Sequence, residues 1–274
     1  MIALIDADIV VYQAAARAEQ VDDFDDDRIY ITGSKSQTRD GIASMIHDLC
    51  AALGADRSVL AFTCTEGNFR KEVYPKYKSN RKGHRKPVTY AYGREWAIEN
   101  YESMSRPTLE ADDILAILAT GDVKGMRGKK VVCSIDKDMR TFPCSLYNWM
   151  RPEDGIVTFD EVDADYEFFA QILTGDSTDG YPGCPGIGPV KAERIVDAHY
   201  DYWNSPDAPP GHSLDRVAVW QSVVDAYEKK GLTEYDAITQ ARCARILRAC
   251  DYNFEDRQPI LWTPPRRETS DDEA

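Results

Sequence analysis

The chain of 274 residues is 43% hydrophobic, enough to fill the core of one large α/β domain or two smaller ones. Seven scattered cysteines without a C-x-x-C pair, and only four histidines, argue against disulfides and zinc, so any metal must bind oxygen. Acidic residues, 47 against 33 basic ones, set a formal net charge of −14 and offer carboxylates to hard cations such as Mg²⁺.

The opening MIALIDADIVVYQAAA has no basic leader, and Asp6 and Asp8 interrupt its apolar run. Neither a signal peptide nor a membrane span is expected there, and the protein reads as cytoplasmic. Short apolar runs then alternate with helical patterns: a strand at 2–5, helices at 10–18 and near 42–53, a strand at 58–62, a helix at 109–120, and strands at 129–135 and 145–150. The acidic patch at 21–28 reads as a solvated loop. Such alternation predicts a mostly parallel sheet flanked by helices. From about 160 the pattern is helical, over 160–173, 190–199, 216–230 and 234–249, with a Gly- and Pro-rich turn at 175–189. A boundary near 155 separates 1–155 from a helical region at 156–262, in which PILW (259–262) is a strand candidate for return to the sheet; residues 263–274 are expected to be a disordered tail.

The stretch FRKEVYPKYKSNRKGHRKP, residues 69–87, holds eight Lys or Arg and one acid, Glu72. A solvated loop and a grip on a phosphate-bearing partner explain it equally well on its own. The carboxylates weigh on that choice. Ligands of parallel sheets sit outside the carboxyl ends of the strands, and Asp6 follows one strand while Asp136 and Asp138 follow another. If the chain is still extended, period two puts Asp136 and Asp138 on one face. In PTLEADDILAILAT, Thr108 reads as the N-cap and Ala111, Ile114, Leu115 and Leu118 as the buried stripe. Glu110, Asp112 and Asp113 flank that stripe; the helix dipole explains one acid there more easily than three. Asp176 and Asp179 border a tight turn in GDSTDG, where an Asx turn is sufficient by itself. D-x-D pairs alone say little, since roughly eight arise by chance in this composition. Gathered at one end of a sheet, these acids repel each other unless cations neutralise them; two Mg²⁺ roughly 4 Å apart suit in-line attack of water on a phosphodiester.

GYPGCPGIGPVKAERIV (180–196) places Gly183, Gly186 and Gly188 before a helix carrying Lys191 and Arg194. Such a hairpin lets backbone N–H groups approach a phosphate, although an ordinary tight connection has the same composition.

In their order and spacing, IDAD, FRKEVYPKYKSNRKG, EADDILA, SIDKDM and GDSTDGYPGCPGIGPVKA resemble the 5′-nuclease (flap endonuclease) superfamily, closest to the gene 6 type 5′-to-3′ exonucleases of podovirus phages. FRKEVYPKYKSNRKG and ARILRACDYNFEDRQPILW point to that branch, and the resemblance covers about residues 1–262. It implies a PIN-like (Rossmann-like) sheet, a helical arch at about 70–100 and a helix-three-turn-helix in the helical region. It assigns Asp6, Glu110, Asp112 and Asp136 to a catalytic metal ion and Asp138, Asp176 and Asp179 to a second, with Asp113 joining through water or orienting the helix. Lys78 would polarise the scissile phosphate, Arg70 and Arg81 would clamp its neighbours, and Tyr77 would stack on a base. Lys82, Arg85 and Lys86 of the arch, and Gly186, Gly188, Lys191 and Arg194 of the hairpin and helix, would contact DNA. A K⁺ ion would rest on backbone carbonyls near Leu173, Thr174, Pro182, Cys184 and Ile187.

The activity implied is a Mg²⁺-dependent 5′-to-3′ exonuclease on double-stranded DNA, with Mn²⁺ as a substitute ion and RNA of RNA–DNA hybrids and 5′ flaps as further substrates. It would serve phage DNA replication or recombination as a monomer in the host cytoplasm, without a membrane partner. One departure stands out: the family has an Asp shortly after the strand that ends here in VLAF, where this chain reads TCTEG. Either Glu66 replaces that acid or the ligand is missing. The alternatives are a catalytically weakened structure-specific DNA-binding protein, a haloacid-dehalogenase-type phosphatase suggested by LIDADIV, and an RNA-cleaving PIN nuclease.

Overall fold

The structure, a computed structural model, describes residues 1–24, 28–81, 83, 85–205 and 208–266; Lys82 and the tail from residue 267 lie outside them. In chain order, β1 (Ile2–Asp6) runs into α1 (Ala7–Arg17), followed by a hairpin of β2 (Glu19–Phe24) and β3 (Arg28–Gly33), then α2 (Lys35–Leu53) and β4 (Arg57–Ala61). The basic segment contains α3 (Arg70–Val73), a 3-10 turn at Ser79–Arg81 and α4 (Tyr90–Asn100), and leads to β5 (Ser103–Met104). Next come α5 (Ala111–Thr120), β6 (Lys130–Cys133), β7 (Cys144–Tyr147) and β8 (Ile156–Phe159). The helical part consists of α6 (Glu161–Thr174), α7 (Pro189–Asp197), a hairpin of β9 (Tyr200–Ser205) and β10 (Ala208–Leu214), α8 (Arg216–Glu228), α9 (Glu234–Ala244) and a small ribbon of β11 (Tyr252–Asn253) and β12 (Gln258–Pro259).

Six strands form one sheet in the order β5-β4-β1-β6-β7-β8, parallel throughout except for the antiparallel edge pair β7 and β8. β1 is central and buried at every position, as its uninterrupted apolar run requires of a strand covered on both faces. Its alternate residues feed two cores. Leu4 packs with Val59, Val132, Ile114 and Leu115, whereas Ala3 and Ile5 pack with Leu60, Val131, Val10 and Ile42. A third core, with Phe168, Ile172, Val223, Tyr227 and Ala241, holds the helices together.

Because the first five strands are parallel, their carboxyl ends share one edge. β1 ends there at Asp6, α5 starts there after β5, and the loop after β6 carries Asp136 and Asp138. β8 runs the other way, so α6 starts at the opposite edge and returns its C-terminus toward the acids. That return brings Asp176 and Asp179 within reach.

Four details differ from the sequence reading. Of the acidic patch at 21–28, residues 21–24 and 28 are paired strand and not loop, because Glu19–Phe24 pairs residue by residue with Arg28–Gly33, while 25–27 lie outside the described residues. The sheet continues past 155 into β8, whose exposed residues Ile156–Thr158 hid it as a strand of the core. The stretch around PILW does not rejoin the sheet; Pro259 pairs with Tyr252 in the two-stranded ribbon. Thr108 is not the N-cap of α5: Glu110 holds that position, and Thr108 takes a left-handed φ of 62° in the turn ahead of it.

Candidate active site

Asp6 is 3% exposed and accepts from Ile9 N at 3.3 Å, so it caps α1 as it ends β1. Ser134, absent from the sequence reading, donates to Asp6 Oδ2 at 2.9 Å and accepts from Asp136 N at 3.1 Å, joining two strand ends. Asp136 and Asp138 are not two residues of an extended strand: β6 stops at Cys133, and Asp136 caps the 3-10 turn Lys137–Thr141 by accepting from Asp138 N. The tight turn still keeps their charges close.

The electrostatics show how these groups face one another. Burial, together with the charge of Asp8, raises Asp6 from 3.8 to about 7. Burial and the charges of Asp6 and Asp136 push Asp112 well above the usual range, while burial and the charges of Asp136 and Asp176 bring Asp138 to about 7 despite nearby Lys137. Glu110 behaves oppositely. Burial works against its charge, but Lys78 and Arg70 outweigh burial and hold Glu110 at about 2.

Cations of the chain bridge the acids. Lys78 Nζ contacts Glu110 Oε1 and lies 3.5 Å from Asp179 Oδ2, and Lys137 Nζ lies 3.5 Å from Asp176 and 4.0 Å from Asp138. Lys78 itself has a left-handed φ of 54° and donates its backbone N–H to Asp179 O, which fixes its side chain over the acids. Arg81 pairs with Asp179 Oδ1 at 2.5 Å and remains 48% exposed. Oxygen-only donors in which burial and neighbouring negative charges raise three pKa values are the donor set that hard divalent ions satisfy. Among the described residues, the three ligand atoms that fall within 4.8 Å of one another belong elsewhere, to Asp160, Asp163 and His212. There the two acids form the capping box of α6, which accounts for them.

Three sequence assignments change and one is narrowed. Arg70 is 2% exposed and spends its guanidinium on Asp113, Glu110 and the carbonyls of Cys243 and Arg245, so it is a buried tie and not a clamp on phosphate. Asp113 takes the helix-orienting alternative of its two expected roles: its oxygens are taken by Arg70, Glu110 N and Leu247 N, and it is fully buried. Tyr77 is 2% exposed, with its ring stacked on Tyr181 at 6.2 Å, which closes it to a base. Arg85 is bound by both oxygens of Glu19, which the Arg85 hydrogen bond and Val88 N hold at about 2. Lys86 is exposed, its ammonium 4.1 Å from the Tyr90 ring.

The loop TCTEG leaves Glu66 exposed. Asp8, given no site role by sequence, faces that loop instead: it accepts from Thr63 N at 2.8 Å, Tyr90 OH at 2.9 Å and Arg94 at 3.2 Å, tying α4 to the end of β1.

On the helical side, α6, the glycine hairpin and α7 follow in succession. Gly175 and Gly183 touch backbone to backbone: a Cβ on Gly175 would lie 2.4 Å from Gly183 N, and both have left-handed φ. Leu173 O and Cys184 O each accept one N–H, from Cys184 and Ile187, and Thr174 and Pro182 flank them. The hairpin opens onto a 480 Å³ groove lined by Gly186, Ile187, Lys191, Arg194, Ser222, Lys229 and Lys230 among others, with Gly188 exposed beside it. Lys191 bonds Gly186 O at 3.0 Å. Lys229 and Lys230, at the end of α8, were missed in the sequence because nothing in it places the end of α8 against the hairpin. The Lys-Lys pair of AYEKKG was the available signal.

Residues 1–167 match the family described as 5′-3′ exonuclease, N-terminal resolvase-like domain. An exonuclease of Escherichia phage T7 is 32% identical over 96% of this chain and 93% of its own length. A flap endonuclease Xni of Shewanella oneidensis is 30% identical over 48% of this chain and 53% of its own. Among solved structures, a phage T5 flap endonuclease complexed with DNA and metal ions superposes with a TM-score of 0.56 at 16% identity, covering 89% of this chain and 92% of that one. A phage T5 protein co-crystallised with metal ions gives 0.62 at 14% identity, covering 89% of each chain.

Proposed function

Because the chain belongs to the 5′-3′ exonuclease family, we propose that it hydrolyses phosphodiester bonds of double-stranded DNA from 5′ ends or flaps with two divalent cations. It is a 5′-3′ nuclease, a hydrolase. The observation that carries the reading is Lys78, held between Glu110 and Asp179 at the carboxyl edge of the sheet, where a phosphate would meet both acids and cation. Asp6, Glu110, Asp112 and Asp136 would hold one ion, and Asp138, Asp176 and Asp179 the other, with Mg²⁺ as the resident ion and Mn²⁺ as a substitute. Bound there, the ions would supply an activated water and neutralise charge on the phosphate.

The chain's own groups do the rest. Ser134 fixes Asp6, the buried Arg70–Asp113 pair fixes the start of α5, and Lys78 leaves its acids to contact a non-bridging phosphate oxygen. Arg81, exposed at the mouth, meets the adjoining phosphate. Lys191, Arg194, Lys229 and Lys230 hold the duplex backbone in the groove, and a K⁺ on the hairpin carbonyls would extend that grip. Backbone contacts read no bases, which supports RNA–DNA hybrids as further substrates, and the likeness to phage exonucleases supports a role in phage DNA replication or recombination. Substrate choice tests the reading: blunt duplex, 5′-flapped duplex and hybrid, labelled at the 3′ end, should all shorten from the 5′ side in Mg²⁺. Cleavage confined to single-stranded RNA would contradict it.

A further inference from the structure

We infer that Tyr77 is a positioning residue whose hydroxyl orients Glu110 and Asp179 for their cations, an inference that rests on the two-cation reading above. The hydroxyl lies 2.8 Å from Glu110 Oε2 and 2.8 Å from Asp179 Oδ2, so one side chain reaches one acid from each ion's set. Its ring has no freedom to turn away: it is 2% exposed, stacks on Tyr181 with planes 18° apart, and has the Arg70 guanidinium 5.9 Å from its centroid.

The pattern of occupied oxygens gives the hydroxyl its role. On Glu110, Oε2 is taken by Tyr77 and by Arg70 at 3.3 Å, which turns Oε1 toward Lys78 and the open edge. On Asp179, Oδ1 is taken by Arg81, and Oδ2 is shared by Tyr77 and Lys78. A hydroxyl has a single proton and donates to one acceptor at a time, so Lys78 must screen whichever acid is left. Once Lys78 moves toward a phosphate, bound cations would take over that screening, while Tyr77 still donates to one of the two acids. Hydrogen bonds of this outer kind fix the orientation of ligating carboxylates, and losing one costs about 10- to 100-fold in metal affinity.

The test is Mn²⁺ binding to the full-length chain, followed by electron paramagnetic resonance without DNA, for wild type, Tyr77→Phe and Tyr181→Phe. Tyr77→Phe should raise both dissociation constants about tenfold, whereas Tyr181→Phe, which removes the other hydroxyl of the same aromatic stack, should leave both within about twofold. Unchanged constants in Tyr77→Phe would overturn the inference and leave the ring as packing against Tyr181, which Phe preserves. Loss of cooperative unfolding in that variant would overturn it too, since the hydroxyl would then be holding the fold. A wild-type chain that binds no Mn²⁺ would instead overturn the two-cation reading itself.

Discussion

Arg70 and Asp113 meet fork to fork, with Nη1 2.8 Å from Oδ2 and Nη2 2.7 Å from Oδ1, and neither side chain is more than 2% exposed. The pair joins the base of the basic segment to the start of α5, and Arg70 also reaches the carbonyls of Cys243 and Arg245 at the end of α9. Removing one partner strands a buried charge. Arg70→Met should lower the unfolding free energy by about 3–5 kcal/mol in urea titrations. Arg70→Lys should recover little of it, because an ammonium cannot reproduce the planar fork. A variant that unfolds like wild type but binds DNA poorly would restore Arg70 to the phosphate.

Stability should depend on pH through Asp6 and Asp138, each raised from 3.8 to about 7. In the unfolded chain these groups ionise near their ordinary value, so between it and 7 the native state binds more protons and their contribution to stability falls as pH rises. Glu110, held at about 2, contributes fully above its ordinary 4.5 and loses that contribution only toward pH 2, outside this window. In EDTA the melting temperature should therefore drop between about pH 5 and pH 7, and Mg²⁺ or the double substitution Asp6→Asn with Asp138→Asn should flatten the drop. Equal pH dependence in the double variant would contradict the assignment.

Much of this site was legible before any coordinates. Strand ends place acids through local signals: an apolar run followed by Asp needs only the rule that parallel strands bind at their carboxyl ends. The fates of Arg70, Tyr77 and Asp113 were not legible, because their partners lie far along the chain: Asp113 for Arg70, Asp179 for Tyr77 and Leu247 N for Asp113. A basic run looks uniform in composition, yet the fold buries Arg70, pairs Arg85 with Glu19 and leaves Arg81 half exposed. The ribbon at Tyr252–Pro259 was misread for a related reason, since a short apolar run suits a sheet edge and a local hairpin equally.

Lys78→Ala should lower kcat about 10²-fold while the DNA dissociation constant moves little, since its ammonium stabilises charge that develops on the phosphate. Single-turnover kinetics with saturating enzyme separate the two. A pure loss of binding would make Lys78 a docking residue.

The groove makes a salt prediction. Each phosphate contact adds about 0.9 to the slope of log affinity against log salt, so Lys229→Ala with Lys230→Ala should make the slope shallower by about 2. Fluorescence anisotropy of a labelled duplex in Ca²⁺ measures it. A flat response in the wild-type chain would contradict backbone contact altogether.

The most direct measurement is degradation of a linear duplex labelled at the 5′ or the 3′ end, in Mg²⁺ or EDTA, by wild type and by Asp138→Ala. Loss of nucleotides from the 5′ end in Mg²⁺ alone, absent in the variant, is the result expected of a metal-dependent 5′-nuclease. Degradation from the 3′ end, or equal degradation in EDTA, would contradict it.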